Sequence, residues 1–194
     1  MNVYLLPRKK GQYLLYSEEF QTETPKQNAL EKSQDQNKFV NLIKSGYKTA
    51  TAKRNRSEKL LKEMKTLSQI TVYYPANLSV DKAREICNGI IQTQIKKHKR
   101  WLIVDGALLP ISAIFSIVPG PNLLLAYLAW RTLAHYKTKK GGERAVSDLE
   151  IGFVKNSELE KLFKIVNKRF VFNRSAKIKD IGNRLGIINL GKLI

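Results

Sequence analysis

The sequence predicts an α+β chain, mostly helical, with a small N-terminal antiparallel sheet, long basic helices and an apolar helical hairpin. Three observations lead there. Short runs of β-formers near the N-terminus are separated by turn residues. Apolar residues further on recur at helical spacing among many lysines and arginines. From Gly106 to Trp130 no residue is charged, although the 194-residue chain carries a formal net charge of +19.

Val3–Leu6 and Gln12–Tyr16 are rich in Leu, Tyr and Val, and Pro7, Lys9, Lys10 and Gly11 supply turn chemistry between them, so residues 1–16 read as a β-hairpin with a basic loop. Residues 17–36 are polar, contain Pro25 and read as a linker. Residues 37–100 read as a basic helical region. Phe39, Leu42 and Ile43, then Leu60, Leu61 and Met64, fall at helical spacing up to Gln69. Ile70–Tyr74, closed by Pro75, interrupts it as a third strand that pairs with the hairpin, because three strands are far more stable than two. Ser79 then caps a helix whose stripe is Ala83, Ile86, Cys87, Ile90, Ile91 and Ile95, with Asp81 at the positive end of its dipole.

That helix continues into the apolar block, residues 101–136. Pro119, Gly120 and Pro121 break the block into two arms. Proline fixes its own φ and disfavours helix before it, glycine tolerates tight turns, and Asn122 is suited to cap the second arm. Pro110 is expected to kink the first arm. The arms measure roughly 27 and 22 Å at helical rise, against a hydrocarbon core of roughly 30 Å. Spanning and re-entrant hairpins are both open, and a buried helical hairpin in a soluble protein or oligomer interface is the bland alternative. Residues 137–194 read as a basic loop, Lys137–Asp148, followed by C-terminal helices: an amphipathic one over Glu158–Phe170 with Leu159, Leu162, Phe163 and Val166, then a tail of no evident chemistry.

The charge placement favours a hairpin. Lys96, Lys97, Lys99 and Arg100 precede the block, and Lys137, Lys139 and Lys140 follow it. A hairpin keeps both clusters on one side, where they are suited to bind anionic lipid headgroups. Asp105 is the only acid in the block, and an ionisable group inside a membrane is costly and points to function. Counted from the turn, Arg131 lies within roughly 6 Å of its level. Asp105, Arg131 and His135 are therefore the ion- or proton-coupling candidates. The competing reading has Asp105 and Arg131 facing headgroups and His135 solvated at the interface.

A basic chain attracts polyanions, so a peripheral protein that binds RNA, the ribosome or anionic lipid is the alternative. Its evidence is the run from Lys44 to Lys65, in which aromatic residues are too sparse for base stacking. The single Cys87 excludes an internal disulfide and a cysteine-based zinc site. Met1–Phe20 does not read as a signal peptide. The sequence has no glycine-rich phosphate loop and no nucleophile with a partner histidine, and its two histidines, His98 and His135, lie in basic flanks. We expect no catalysis, no cofactor and no metal.

Several segments carry a resemblance: Val3–Pro7, Tyr73–Ser79, His98–Trp101, Pro119–Asn122, Tyr127–Arg131 and His135–Tyr136. Together they resemble the mitochondrial K⁺–H⁺ exchange-related family over the two ends of roughly residues 1–145. The resemblance implies association with the mitochondrial inner membrane, with the basic parts on the matrix side, and a part in potassium–proton exchange as a component or regulator. One two-armed hairpin cannot enclose an ion path, since transporter sites lie between several helices. Homo-oligomerisation or a larger exchanger complex is therefore expected.

Overall fold

The computed structural model describes residues 1–20, 58–114 and 123–194. β1 (Asn2–Pro7) and β2 (Tyr13–Tyr16) form the expected antiparallel hairpin. Lys10 (φ 61°) and Gly11 (φ 69°) make its turn in the left-handed region, which glycine enters without steric cost. β3 (Gln69–Pro75) joins β1, and β4 (Glu150–Asn156) joins β3, giving the order β2-β1-β3-β4.

The sheet is mixed, which corrects the antiparallel expectation. β1 pairs β3 in parallel, Val3 opposite Val72, and β3 pairs β4 in parallel from Gln69–Glu150 to Pro75–Asn156. Parallel neighbours require a long crossover. Between β3 and β4 the crossover is a helical hairpin: α2 (Val80–Ile114) and α3 (Leu123–Ser147). A helix over residues 58–63, α1, precedes β3. The helix expected up to Gln69 thus ends in a turn before it. β4 was not expected at all. Its burial does not alternate, so it carries no period-two signal.

Helices cover both faces of the sheet. Val3, Leu5, Ile70, Val72 and Tyr74 point to one side, against Leu60 and Leu61 of α1, Met64 in the turn after it, and Ala83, Cys87 and Ile91 of α2. Cys87 is wholly buried there, and burial pushes its thiol up to about 12. Leu6 and Tyr16 point to the other side, against α4 (Ser157–Asn167), α5 (Arg174–Leu185) and the C-terminal turn. Strand residues alternate between the two cores because successive side chains point to opposite faces.

Among the described residues the C-terminal region therefore builds most of a second core. Leu159 and Leu162 of α4 are fully buried, each contributing about 2 kcal/mol. Asn156 caps α4, its Oδ1 accepting from Glu158 N at 2.9 Å and Leu159 N at 3.1 Å. α5 ends at Gly186 (φ 69°), with Ile187 N donating to Gly182 O at 2.8 Å and the Ile187 side chain buried. This closes the helix's last carbonyls in a left-handed cap. Arg8 donates from Nε and a terminal nitrogen to Leu193 O at 2.9 and 2.7 Å, tying the chain's end to the hairpin, and burial lowers its pKa.

At its N-terminus α2 begins as expected, with Lys82 N donating to Ser79 Oγ at 3.2 Å. It runs for 35 residues and stays helical past Pro110 to Ile114. α3 corrects the expectation for Lys137–Asp148: there is no loop, and the helix continues through Gly141 and Gly142 to Ser147. Glycine disfavours helix by about 1 kcal/mol, but here closeness demands it. A Cβ on Gly141 would lie 1.7 Å from Leu61 O, and one on Gly142 would lie 2.7 Å from Ile95 Cγ1. The pair lets α3 touch the α1 backbone and α2 at once. Arg144 strengthens the join by donating to Lys65 O.

Candidate functional site

Beyond the sheet, α2 and α3 run on as a pair whose contact positions are polar. On α2 the buried positions recur every seven residues: Ile91, His98, Asp105 and Ser112, none more than 2% exposed. On α3, Leu128, His135 and Gly142 keep the same spacing, with Arg131, Thr138 and Ala145 beside them. A seven-residue repeat is the seam of two packed helices, normally filled by Leu, Ile or Val. Ser112 and Thr138 satisfy their hydroxyls on their own helices, donating to Leu109 O and Ala134 O at 2.8 Å each.

The titratable seam residues form a connected cluster. Glu58 Oε1 of α1 lies 3.9 Å from His98 Nε2. His98 Nδ1 lies 2.8 Å from His135 Nδ1, a hydrogen bond in which one ring donates and the other accepts. His135 Nε2 lies 3.5 Å from Asp105 Oδ2, and Arg131 Nε lies 3.2 Å from the same oxygen. No hydrogen-bond donor among the described residues is aligned on Asp105 Oδ2, so charge more than direction holds it. Trp101 closes the outer side. Its ring stacks on His135 with centroids 6.4 Å apart, and Arg131 Cζ sits 4.8 Å over it.

A buried carboxylate costs several kcal/mol unless paired, and Asp105 is 1% exposed. Arg131, partly open to solvent, supplies the opposite charge. The structure thus brings together all three residues singled out from the sequence: Asp105, Arg131 and His135. It corrects the solvated reading of His135, which is 3% exposed. It adds His98, Glu58 and Trp101, which sequence reasoning missed. The signal for His98 was present in the spacing 91, 98, 105, 112.

Glu58, His98 and His135 also make a candidate metal set, with one donor atom from each residue lying within 4.8 Å of the others. One ion with bonds of about 2.1 Å bridges donors at most about 4.2 Å apart. The two His98 nitrogens also face different partners, Glu58 and His135.

The outer surface of this part of the hairpin is apolar. Ile103, Val104, Leu108 and Ile111 of α2 and Trp130 and Leu133 of α3 are exposed, Trp130 by 68%. Below them lie the basic clusters. Lys96, Lys97, Lys99, Arg100 and Lys137 are exposed, while Lys139 and Lys140 pair with Glu143 at 2.7 and 3.5 Å. The hydrogen bond and charge from Lys139 hold the Glu143 carboxyl below its usual range. Because His98 faces His135, the two clusters flank the hairpin at one level. A groove lined by Lys96, Lys97, Arg100, Trp101 and Val104 opens there. Pro119, Gly120, Pro121 and Asn122 lie outside the described residues, as do most of the 17–36 linker and the Lys44–Lys65 run.

Of the two hairpin forms left open by the sequence, the spanning one gains no support. Among the described residues no helix is long and apolar enough to cross a membrane. The polar seam dilutes the hydropathy of α2, and the basic clusters begin within its length.

A family model described as mitochondrial K⁺–H⁺ exchange-related matches residues 16–147. The chain belongs to the mitochondrial K⁺–H⁺ exchange-related family. The matched stretch holds Glu58, His98, Trp101, Asp105, Arg131 and His135. It leaves out α4 and α5, the helices that supply most of the second core. No curated protein and no solved structure matches the chain.

Proposed function

We propose that this protein is a membrane-associated component or regulator of potassium–proton exchange at the mitochondrial inner membrane, with its basic parts on the matrix side. The observation that carries the reading is the inverted polarity of the hairpin: ionisable groups are sealed between α2 and α3, while apolar side chains face outward. A soluble helix pair buries its apolar stripe. Here the medium that suits the outer surface is hydrocarbon, and the basic clusters at one level suit an anionic headgroup layer.

The apolar part of α2, Trp101–Ile114, extends about 20 Å at helical rise. That length fits shallow insertion from one side. Two helices enclose no ion path, so the protein acts with further copies or a larger exchanger. The reading includes no catalytic step and no cofactor.

The test is flotation of the full-length protein with vesicles of neutral lipid, alone or with phosphatidylglycerol, at low and high salt. Binding that needs anionic lipid and persists at high salt supports insertion. Release at high salt leaves a peripheral polyanion-binding protein and overturns the reading. Potassium-driven proton flux in mitochondria with and without the protein then tests the exchange role, and unchanged flux sinks it.

A further inference from the structure

We propose that His98 and His135 form one proton-binding site with a capacity of a single added proton, and that this pair, more than Asp105, is where the hairpin holds an exchangeable proton. The proposal deepens the exchange reading and rests on it for its biological role. The two Nδ1 atoms are 2.8 Å apart. Only one hydrogen fits between them. If both rings carried a proton on Nδ1, two N–H groups would point at each other.

The neutral pair therefore has two forms. In one, His98 donates through Nδ1 and the remaining hydrogen sits on His135 Nε2, facing Asp105. In the other, His135 donates and the remaining hydrogen sits on His98 Nε2, facing Glu58. Adding one proton gives a single cationic form: both Nε2 atoms carry hydrogen, one turned to each carboxylate, and one hydrogen is shared between the Nδ1 atoms. One N–H bond forms and the charge rises by one. A second added proton has no place without breaking the 2.8 Å contact.

The surroundings suit one positive charge. Glu58 from α1 lies 3.9 Å from His98 Nε2, and Asp105 from α2 lies 3.5 Å from His135 Nε2. Among the described residues, Arg131 from α3 faces the cluster and offsets Asp105 at 3.2 Å. The lysines and arginine at 96, 97, 99 and 100 are exposed on the outer surface of α2. Two carboxylates against Arg131 and one imidazolium sum to zero. A proton taken up at His98 Nε2 passes the charge to His135 through the shared hydrogen. Interacting groups of this kind titrate as a pair.

The protein has two histidines, so ¹⁵N-histidine labelling of the full-length chain reports on this site alone. Across about pH 4 to 9, where histidine titrates, both rings should shift with one common midpoint and a total uptake of one proton. Glu58→Gln removes a facing carboxylate at a partly exposed position, so it should weaken proton affinity several-fold and move both rings together. Two separate midpoints totalling two protons, or no titration in this range, overturns the proposal. So does a zinc-induced shift of both rings at fixed pH without the one-proton step, which would assign a metal site. The titration judges the site. Potassium-driven flux in the His135→Gln variant judges the reading beneath it: a one-proton step in the parent protein with flux unaffected by the variant keeps the site and removes the exchange role.

Discussion

Arg131 Nε lies 3.2 Å from Asp105 Oδ2 across the α2–α3 seam, and the two residues differ sharply in exposure: the Arg131 side chain is 26% exposed and that of Asp105 1%. The cation reaches water and the anion does not. Their loss is therefore unequal. Arg131→Met strands a buried carboxylate and should cost about 3 kcal/mol. Asp105→Asn removes the charge that needed pairing and should cost less. The double variant should recover part of the loss of R131M. Urea unfolding of the three variants measures this, and equal, additive losses would sink the account.

Trp130 tests the outer surface. Among the described residues it is the most exposed of the hairpin's large apolar side chains, and it stands 6.5 Å from the ring of Tyr127. Trp130→Ser should weaken binding to phosphatidylglycerol vesicles about tenfold, the loss of one interfacial aromatic, and leave the melting temperature within a few degrees. A fall in melting temperature with vesicle binding unchanged would place Trp130 in a protein contact.

Gly141→Ala should destabilise the protein by about 1–3 kcal/mol, although alanine is the better helix former. The added Cβ would meet the Leu61 carbonyl, which is backbone and cannot rotate away. Denaturant unfolding checks the sign. A stabilised variant would show that α1 does not lie against α3 at this point.

Acid should loosen the second core through Glu158. Its hydrogen bond to Lys161 and the nearby charge of Arg184 hold its carboxyl below the ordinary 4.5. A depressed folded value means the contribution is complete above 4.5 and is lost as pH falls through the lower folded value. Glu158→Gln should therefore lower stability at neutral pH and flatten the pH dependence below 4.5. Thermal melts of the two proteins at pH 7 and in the acid range read it, and parallel curves would refute it.

Local chemistry made much of the fold legible in the sequence. The β-hairpin follows from β-formers around a Lys10–Gly11 turn, and α2 begins where Ser79 offers a cap. Other elements were hidden because neighbours decide them. β4 has no alternation to read, and strand direction depends on the crossover that follows it. Gly141 and Gly142 look like a loop until the backbone of Leu61 is seen against them.

By itself the sequence determined which residues are charged, which block is apolar and which three side chains, Asp105, Arg131 and His135, stand out within it. It also carried the family. Only the tertiary structure decided that the block's polar residues turn inward and its apolar ones outward. It also decided that His98 meets His135. Thirty-seven residues separate the two histidines in the chain. Their contact depends on the register between two helices, and the close approach of α3 at Gly142 to Ile95, about one turn from His98 and two from His135, constrains that register.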